Sequence, residues 1–167
     1  MKDNNKNYLF FWNEPKRDIV DISCLNQWYK IDFVVDNILY KTAEHYMMYQ
    51  KAILFEDFES ANKILNSNSP KEVQMIGREV KNFSEELWQK LSFDIVVKAN
   101  IHKFAQNKEL KNYLLSTNNK ILVEASPIDK IWGIGLKKDD IRATNQKEWL
   151  GENKLGFALM KVREELK

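Results

Sequence analysis

A chain of 167 residues with 44% hydrophobic and 30% charged side chains has the balance of an ordinary globular protein, long enough for one real core and neither disordered nor fibrous. A formal net charge of +2, with basic residues spread along the whole length, makes no electrostatic case for tight duplex binding through many phosphates and leaves a nucleic-acid substrate open. The single cysteine, Cys24, excludes an internal disulfide and a multi-cysteine zinc site; with no apolar run near the roughly 20 residues of a membrane span and no signal-peptide core in the polar residues 1–7, no membrane contact and a cytoplasmic address are expected.

After that polar start, Tyr8-Leu9-Phe10-Phe11-Trp12 has the aromatic texture and length of a short buried strand, stopped by Asn13-Glu14-Pro15. Cys24 to Trp28 reads as a loop holding a tryptophan beside amides. Phe33-Val34-Val35 and Ile38-Leu39-Tyr40 flank Asp36-Asn37, residues that tolerate positive φ, which predicts a tight hairpin. From Thr42, a plausible N-cap, a helix should run to about Leu54 with Glu44 in its first turn, where the macrodipole favours a carboxylate. Asp57 to Asn66 predicts another short helix. Ser69-Pro70-Lys71-Glu72 then combines a serine cap, proline at the first helical position and glutamate at the capping-box position, and this helix ends near Gly77-Arg78.

Ser84-Glu85-Glu86 opens a longer helix whose inner face is expected to follow Leu87, Leu91, Ile95 and Lys98-Ala99 toward Phe104. Asn107 is the expected cap of one more helix, with Leu110 and Leu114 inside. Ile121-Leu122-Val123 predicts a short buried strand leading into a loop from Glu124 to Gly135, and Lys137 to Glu148 reads as a loop or short helix. Asn153 to Leu166 closes the chain as a helix burying Leu155, Ala158, Leu159, Val162 and Leu166.

The chemistry is concentrated in two stretches. In Thr42 to Ala52 an acid, an imidazole, an amide and an ammonium share a helix, with Glu44, Met48 and Lys51 on one face and His45, Tyr49 and Ala52 on the neighbouring one. In Glu124 to Gly135 two carboxylates, Glu124 and Asp129, precede Trp132 and Gly133 in a segment too rich in proline and glycine for regular structure. The two histidines, His45 and His102, belong to no zinc motif, and there is no GxSxG, P-loop or GxGxxG, so neither a metal nor a cofactor is expected. Carboxylates near aromatic residues, with Lys51 and Arg78 as phosphate donors, suit cleavage of a glycosidic bond through an oxocarbenium-like transition state. A plainer reading stands beside this one. Glu44 is then a first-turn helix acid, Lys51 its ion-pair partner, Trp132 a core anchor, Arg78 an exposed helix-end cation, and Met47-Met48 core.

At these same residues the chain resembles the NADAR family, also called YbiA-like, whose signature T-x-E-H-Y-(F/M)-x-x-Q-K appears as Thr42-Ala43-Glu44-His45-Tyr46-Met47-Met48-Tyr49-Gln50-Lys51. Further hallmarks follow in order: Met75-Ile76-Gly77-Arg78, Leu122-Val123-Glu124, Asp129 with Trp132-Gly133, then Gly151-Glu152-Asn153-Lys154-Leu155-Gly156, Leu159-Met160 and Arg163. The resemblance covers about Tyr8 to Leu166. One departure is Leu25-Asn26-Gln27-Trp28, where many members carry Phe-Ser-Asn-Phe or Leu-Ser-Gln-Trp, so a hydroxyl-dependent contact at position 26 is missing.

The resemblance implies an α+β, helix-rich single domain over 8–167 with a few short strands. It also implies an N-glycosidase-type hydrolase acting on a ribose C1–N bond. Two substrates are attributed to the family: ADP-ribosylated guanine in nucleic acid, and the ribosylamino-pyrimidine intermediates of riboflavin synthesis. The first is the leading expectation here, with a toxin-like ADP-ribosyltransferase as candidate functional partner. A non-catalytic binder of ADP-ribose or NAD derivatives is the alternative outside catalysis. The expected catalytic residues are Glu44, Asp129 and Glu124; Gln27, Trp28, His45, Lys51, Arg78, Trp132, Gly133 and Asn153 are the expected substrate contacts. Oligomeric state is left open.

Overall fold

The computed structural model describes residues 7–12 and 19–167, so the polar residues 1–6 and the Asn13-Glu14-Pro15 stop lie outside the described residues. The class is α+β and rich in helix, as expected. The chain divides into two compact units, residues 27–107 and residues 1–26 with 108–167.

The first unit begins with a hairpin, β2 (Phe33–Val35) and β3 (Ile38–Tyr40), paired antiparallel with Phe33 opposite Tyr40. Asp36 and Asn37 turn it with φ of 51° and 65°, the conformation their short polar side chains tolerate. The period-two rule sorts its faces: Phe33, Val35 and Tyr40 are buried, Val34 and Leu39 exposed. The buried face joins Ala43, Tyr46 and Ala99 in one core.

Four helices follow, two of them capped where the sequence placed a cap, at Thr42 and Ser69. They are α1 (Ala43–Leu54), α2 (Phe58–Asn66), α3 (Pro70–Arg78) and α4 (Glu85–Ala105), with Thr42, Asp57, Ser69 and Ser84 accepting first-turn N–H groups. Helix α1 packs against α2, α3 and α4, which explains why it is buried almost all round despite its polar residues. His45 serves this packing. Its ring Nε2–H donates to the Ser67 carbonyl at 3.1 Å, and Nδ1 lies 2.7 Å from the Thr42 hydroxyl. Asp57 also ties the chain after α3 to α2, because its carboxylate accepts the Lys81 N–H.

Some expectations are corrected in this unit. Residues spaced by four drift about 40° per step around an α-helix. The line from Leu87 therefore leaves the core: Leu87 is exposed, Leu91 and Ile95 are half-buried, and the buried face of α4 runs through Ser92, Val96, Ala99, Asn100 and Lys103. The capping box at α3 is relayed through a third residue: Ser67 Oγ accepts the Ser69 N–H and itself donates to the Glu72 carboxylate. Asn107 keeps its expected place directly before the next helix, and its side-chain NH2 donates to the Lys103 carbonyl at the end of α4.

The second unit is built on a parallel pair, β1 (Tyr8–Phe11) and β4 (Ile121–Glu124), with Phe11 opposite Glu124. Only Phe11 of β1 is fully buried, and Trp12 is exposed, so the aromatic run is less enclosed than its composition suggests. Cys24 belongs to a turn of 3-10 helix, Ile22–Leu25, where a loop was expected. Helix α5 (Lys108–Ser116) buries Leu110 and Leu114. Lys137 to Glu148 contains two short 3-10 turns. Val123, Ile134, Leu136 and Ala143 form the core here. Helix α6 (Lys154–Glu165) buries Leu155, Ala158, Leu159 and Val162, while Leu166 is half-buried. It approaches β4 so closely that a Cβ on Gly156 would stand 2.1 Å from the Leu122 carbonyl oxygen.

Because that carbonyl is backbone and cannot rotate away, Gly156→Ala should lower unfolding free energy by about 2–3 kcal/mol. A urea midpoint equal to that of the parent would contradict this. A second expectation concerns pH. Burial, helped by the charges of Lys41 and Lys30 and opposed by the Ser67 carbonyl, holds the His45 pKa below its ordinary 6.5. The unfolded chain therefore binds the imidazole proton first, so His45 stabilises fully above about pH 6.5 and the stability falls as pH drops below it. Unfolding measured from pH 7 to 5 should show this loss, and His45→Gln should flatten it.

Candidate functional site

In the unit 27–107 the expected residues Gln27, Glu44 and Lys51 lie on or against α1. The Glu44 N–H donates to the Gln27 carbonyl at 3.1 Å, anchoring the helix start to the segment before the hairpin. The Glu44 side chain is 6% exposed and sits in the first turn, where the free N–H groups favour negative charge. Gln27 is buried too, its Oε1 accepting from Asn100 Nδ2 at 2.9 Å. Trp28 is half-buried.

Two turns along α1, the Lys51 ammonium donates to the Gly77 carbonyl at 2.8 Å and lies 4.2 Å from the Phe83 ring centroid and 5.4 Å from that of Trp88. Gly77 makes this reach available by letting α3 approach α1: a Cβ there would lie 2.0 Å from Met48 Sδ. Burial pushes the Lys51 ammonium below the usual lysine range, while Glu85 and Glu44 pull it back. Arg78 is exposed at the last position of α3, and both ring nitrogens of His45 are engaged in packing α1.

The second group lies in the other unit. Asp129 Oδ1 accepts the N–H groups of Ile131 and Trp132, both at 2.8 Å, and its own N–H donates to Ser126 Oγ. This turn fixes the backbone that carries Trp132, which is half-buried. Gly133 is buried, and its carbonyl accepts the Asn153 N–H. Asn153, at φ 54°, spends its whole amide on β4: Oδ1 accepts the Glu124 N–H at 3.0 Å and Nδ2 donates to the Leu122 carbonyl at 2.9 Å. Those bonds hold the start of α6 against the strand that presents Glu124, a half-buried residue.

The first group offers a buried carboxylate at a helix N-terminus with a desolvated lysine acting on the same helix. A carboxylate so placed can position a water or stabilise a ribosyl cation, and a lysine of lowered pKa has more neutral amine than an exposed one. Two residues were missed from sequence. Asn100 supports Gln27 from α4, and Lys103 is fully buried with its ammonium 5.6 Å from the Tyr29 ring centroid. A polar residue inside Ile95-Val96-Val97-Lys98-Ala99-Asn100 was the available signal for the first; Lys103, beside His102, had none.

Among the described residues no helix is long and apolar enough to cross a membrane. The chain is 40% identical over 163 residues, 95% of either chain, to a protein of Acanthamoeba polyphaga mimivirus named an N-glycosidase. It is 36% identical over 112 residues to the chloroplastic riboflavin biosynthesis protein PYRR of Arabidopsis thaliana, covering 65% of this chain and 17% of that one. Its fold is similar to the NMR structure of the Escherichia coli protein YbiA, with a TM-score of 0.77 and 27% identity over 96% of this chain and 84% of the other. Residues 10–167 match the NADAR domain, and the chain belongs to that family.

Proposed function

We propose that this protein is an N-glycosidase-type hydrolase that releases ADP-ribose from ADP-ribosylated guanine. The observation that carries the reading is the buried Glu44 carboxylate at the start of α1, with the desolvated Lys51 on the same helix. A carboxylate in a buried setting stabilises positive charge developing on the ribose more strongly than one in open water does. In the reaction, water oxygen bonds to ribose C1, the C1–N bond breaks, and the base nitrogen takes a proton. Glu44 accepts the water's proton as that bond forms. Lys51, held on the Gly77 carbonyl, is within electrostatic range of Glu44. Asp129 and Asn153 shape the loop and the strand end that carry Trp132 and Glu124.

The name of the Arabidopsis relative favours a second substrate, a ribosylamino-pyrimidine intermediate of riboflavin synthesis. It would undergo the same bond cleavage with a different leaving base.

Glu44→Gln keeps the shape and removes the base. It should lower kcat for ADP-ribose release from a guanine-ADP-ribosylated oligonucleotide about 10²- to 10⁴-fold. Calorimetric binding of ADP-ribose should be retained. A variant as fast as the parent would remove Glu44 from the chemistry, and binding without turnover in the parent would leave a ligand-binding module.

A further inference from the structure

The carboxyl ends of the parallel strands open onto a feature that this chemistry does not use. β1 and β4 finish level with each other, and the chain beyond β4 stays bound to β1 because the Ala125 N–H donates to the Phe11 carbonyl at 2.9 Å. At this end lies a cavity of about 280 Å³. Its floor is apolar, from Phe11 and Ala125, both buried. Trp12 lines it while 44% exposed, and Lys137, Lys138 and Asp139, all exposed, form its rim. A second concavity of about 360 Å³ shares Lys137 and Asp139 and adds Arg142, whose guanidinium is paired with Asp140.

An exposed indole lining the same cavity as buried apolar residues is costly in water and suits a flat, uncharged ring system. Among the described residues the rim carries two ammonium groups and one carboxylate, a net positive charge that suits phosphate. A paired base is already stacked in its duplex, so an unpaired base is the ring free to stack here. We propose that this cavity holds an unpaired base of a single-stranded nucleic acid, with Trp12 stacked on the base and Lys137 and Lys138 on the flanking phosphates. The proposal rests on the reading of ADP-ribosylated nucleic acid as substrate, and assigns its strand contacts to this surface.

The test is fluorescence anisotropy of a labelled, unmodified oligothymidine, which needs no turnover. The parent should bind it more tightly than the corresponding duplex, with affinity falling as salt rises. Trp12→Ala should weaken binding about 5- to 100-fold, with Trp12→Phe largely restoring it. The double variant Lys137→Ala/Lys138→Ala, confined to exposed side chains, should reduce the slope of log affinity against log salt by about 1.4. Release of ADP-ribose from a modified mononucleotide should be unchanged in the lysine variant. No binding of oligothymidine by the parent, or parent-like binding by the variants, would overturn the proposal. So would competition by thymidine monophosphate as strong as that of the oligonucleotide. Loss of the hydrolase reading would appear separately, as absent ADP-ribose release with strand binding intact.

Discussion

The buried ammonium of Lys51 is the constraint around which the unit 27–107 is arranged. A lysine 9% exposed must find an acceptor, and it finds the Gly77 carbonyl, on a helix that approaches α1 over a residue without a side chain. The rings of Phe83 and Trp88 supply further, weaker compensation. The same close approach seats Met48 and leaves Glu44 as the acid on that face of α1. Chemistry and packing are therefore one arrangement here: α1 is buried because three helices surround it, and its polar groups are retained because each has a fixed partner or a charge within range.

The other unit solves a different problem with similar means. Among the described residues the parallel sheet has two strands, which is little ladder to hold it. Asn153 substitutes its side-chain amide for a missing strand, bonding both a carbonyl and an N–H of β4. Gly156 then lets α6 settle against the same strand. Asp129 completes the ordering from inside the loop by binding two consecutive N–H groups. Trp132 is thus carried on backbone that is hydrogen-bonded at both ends.

Much of this was legible in the chain because it is local. Thr42, Asp57, Ser69 and Ser84 announce helices through chemistry confined to one turn, and Asp36-Asn37 announces a hairpin through φ alone. The face of α4 was misread because a spacing of four was treated as constant when the helix turns by 3.6. The acceptor of Lys51 was not legible at all, since a backbone carbonyl leaves no mark on residue type. Asn153 was expected at substrate, and its residue type fits that as well as it fits the left-handed cap observed; only the geometry shows where the amide is bonded. The spaced NADAR motifs pointed to the family more directly than any single motif did, and they mix residues of both kinds: Glu44 with its charge, Gly77 and Gly156 with their missing side chains.

The most direct measurement is kcat/KM for ADP-ribosylated guanine in an oligonucleotide, set beside kcat/KM for a ribosylamino-pyrimidine phosphate with the same enzyme preparation. Both substrates present the same ribose C1–N bond, so the ratio isolates the leaving base and what is attached to it. The account predicts a ratio above about 10², corresponding to roughly 2.7 kcal/mol of transition-state discrimination. A ratio below one would assign the protein to the pyrimidine intermediates and contradict the ADP-ribose reading.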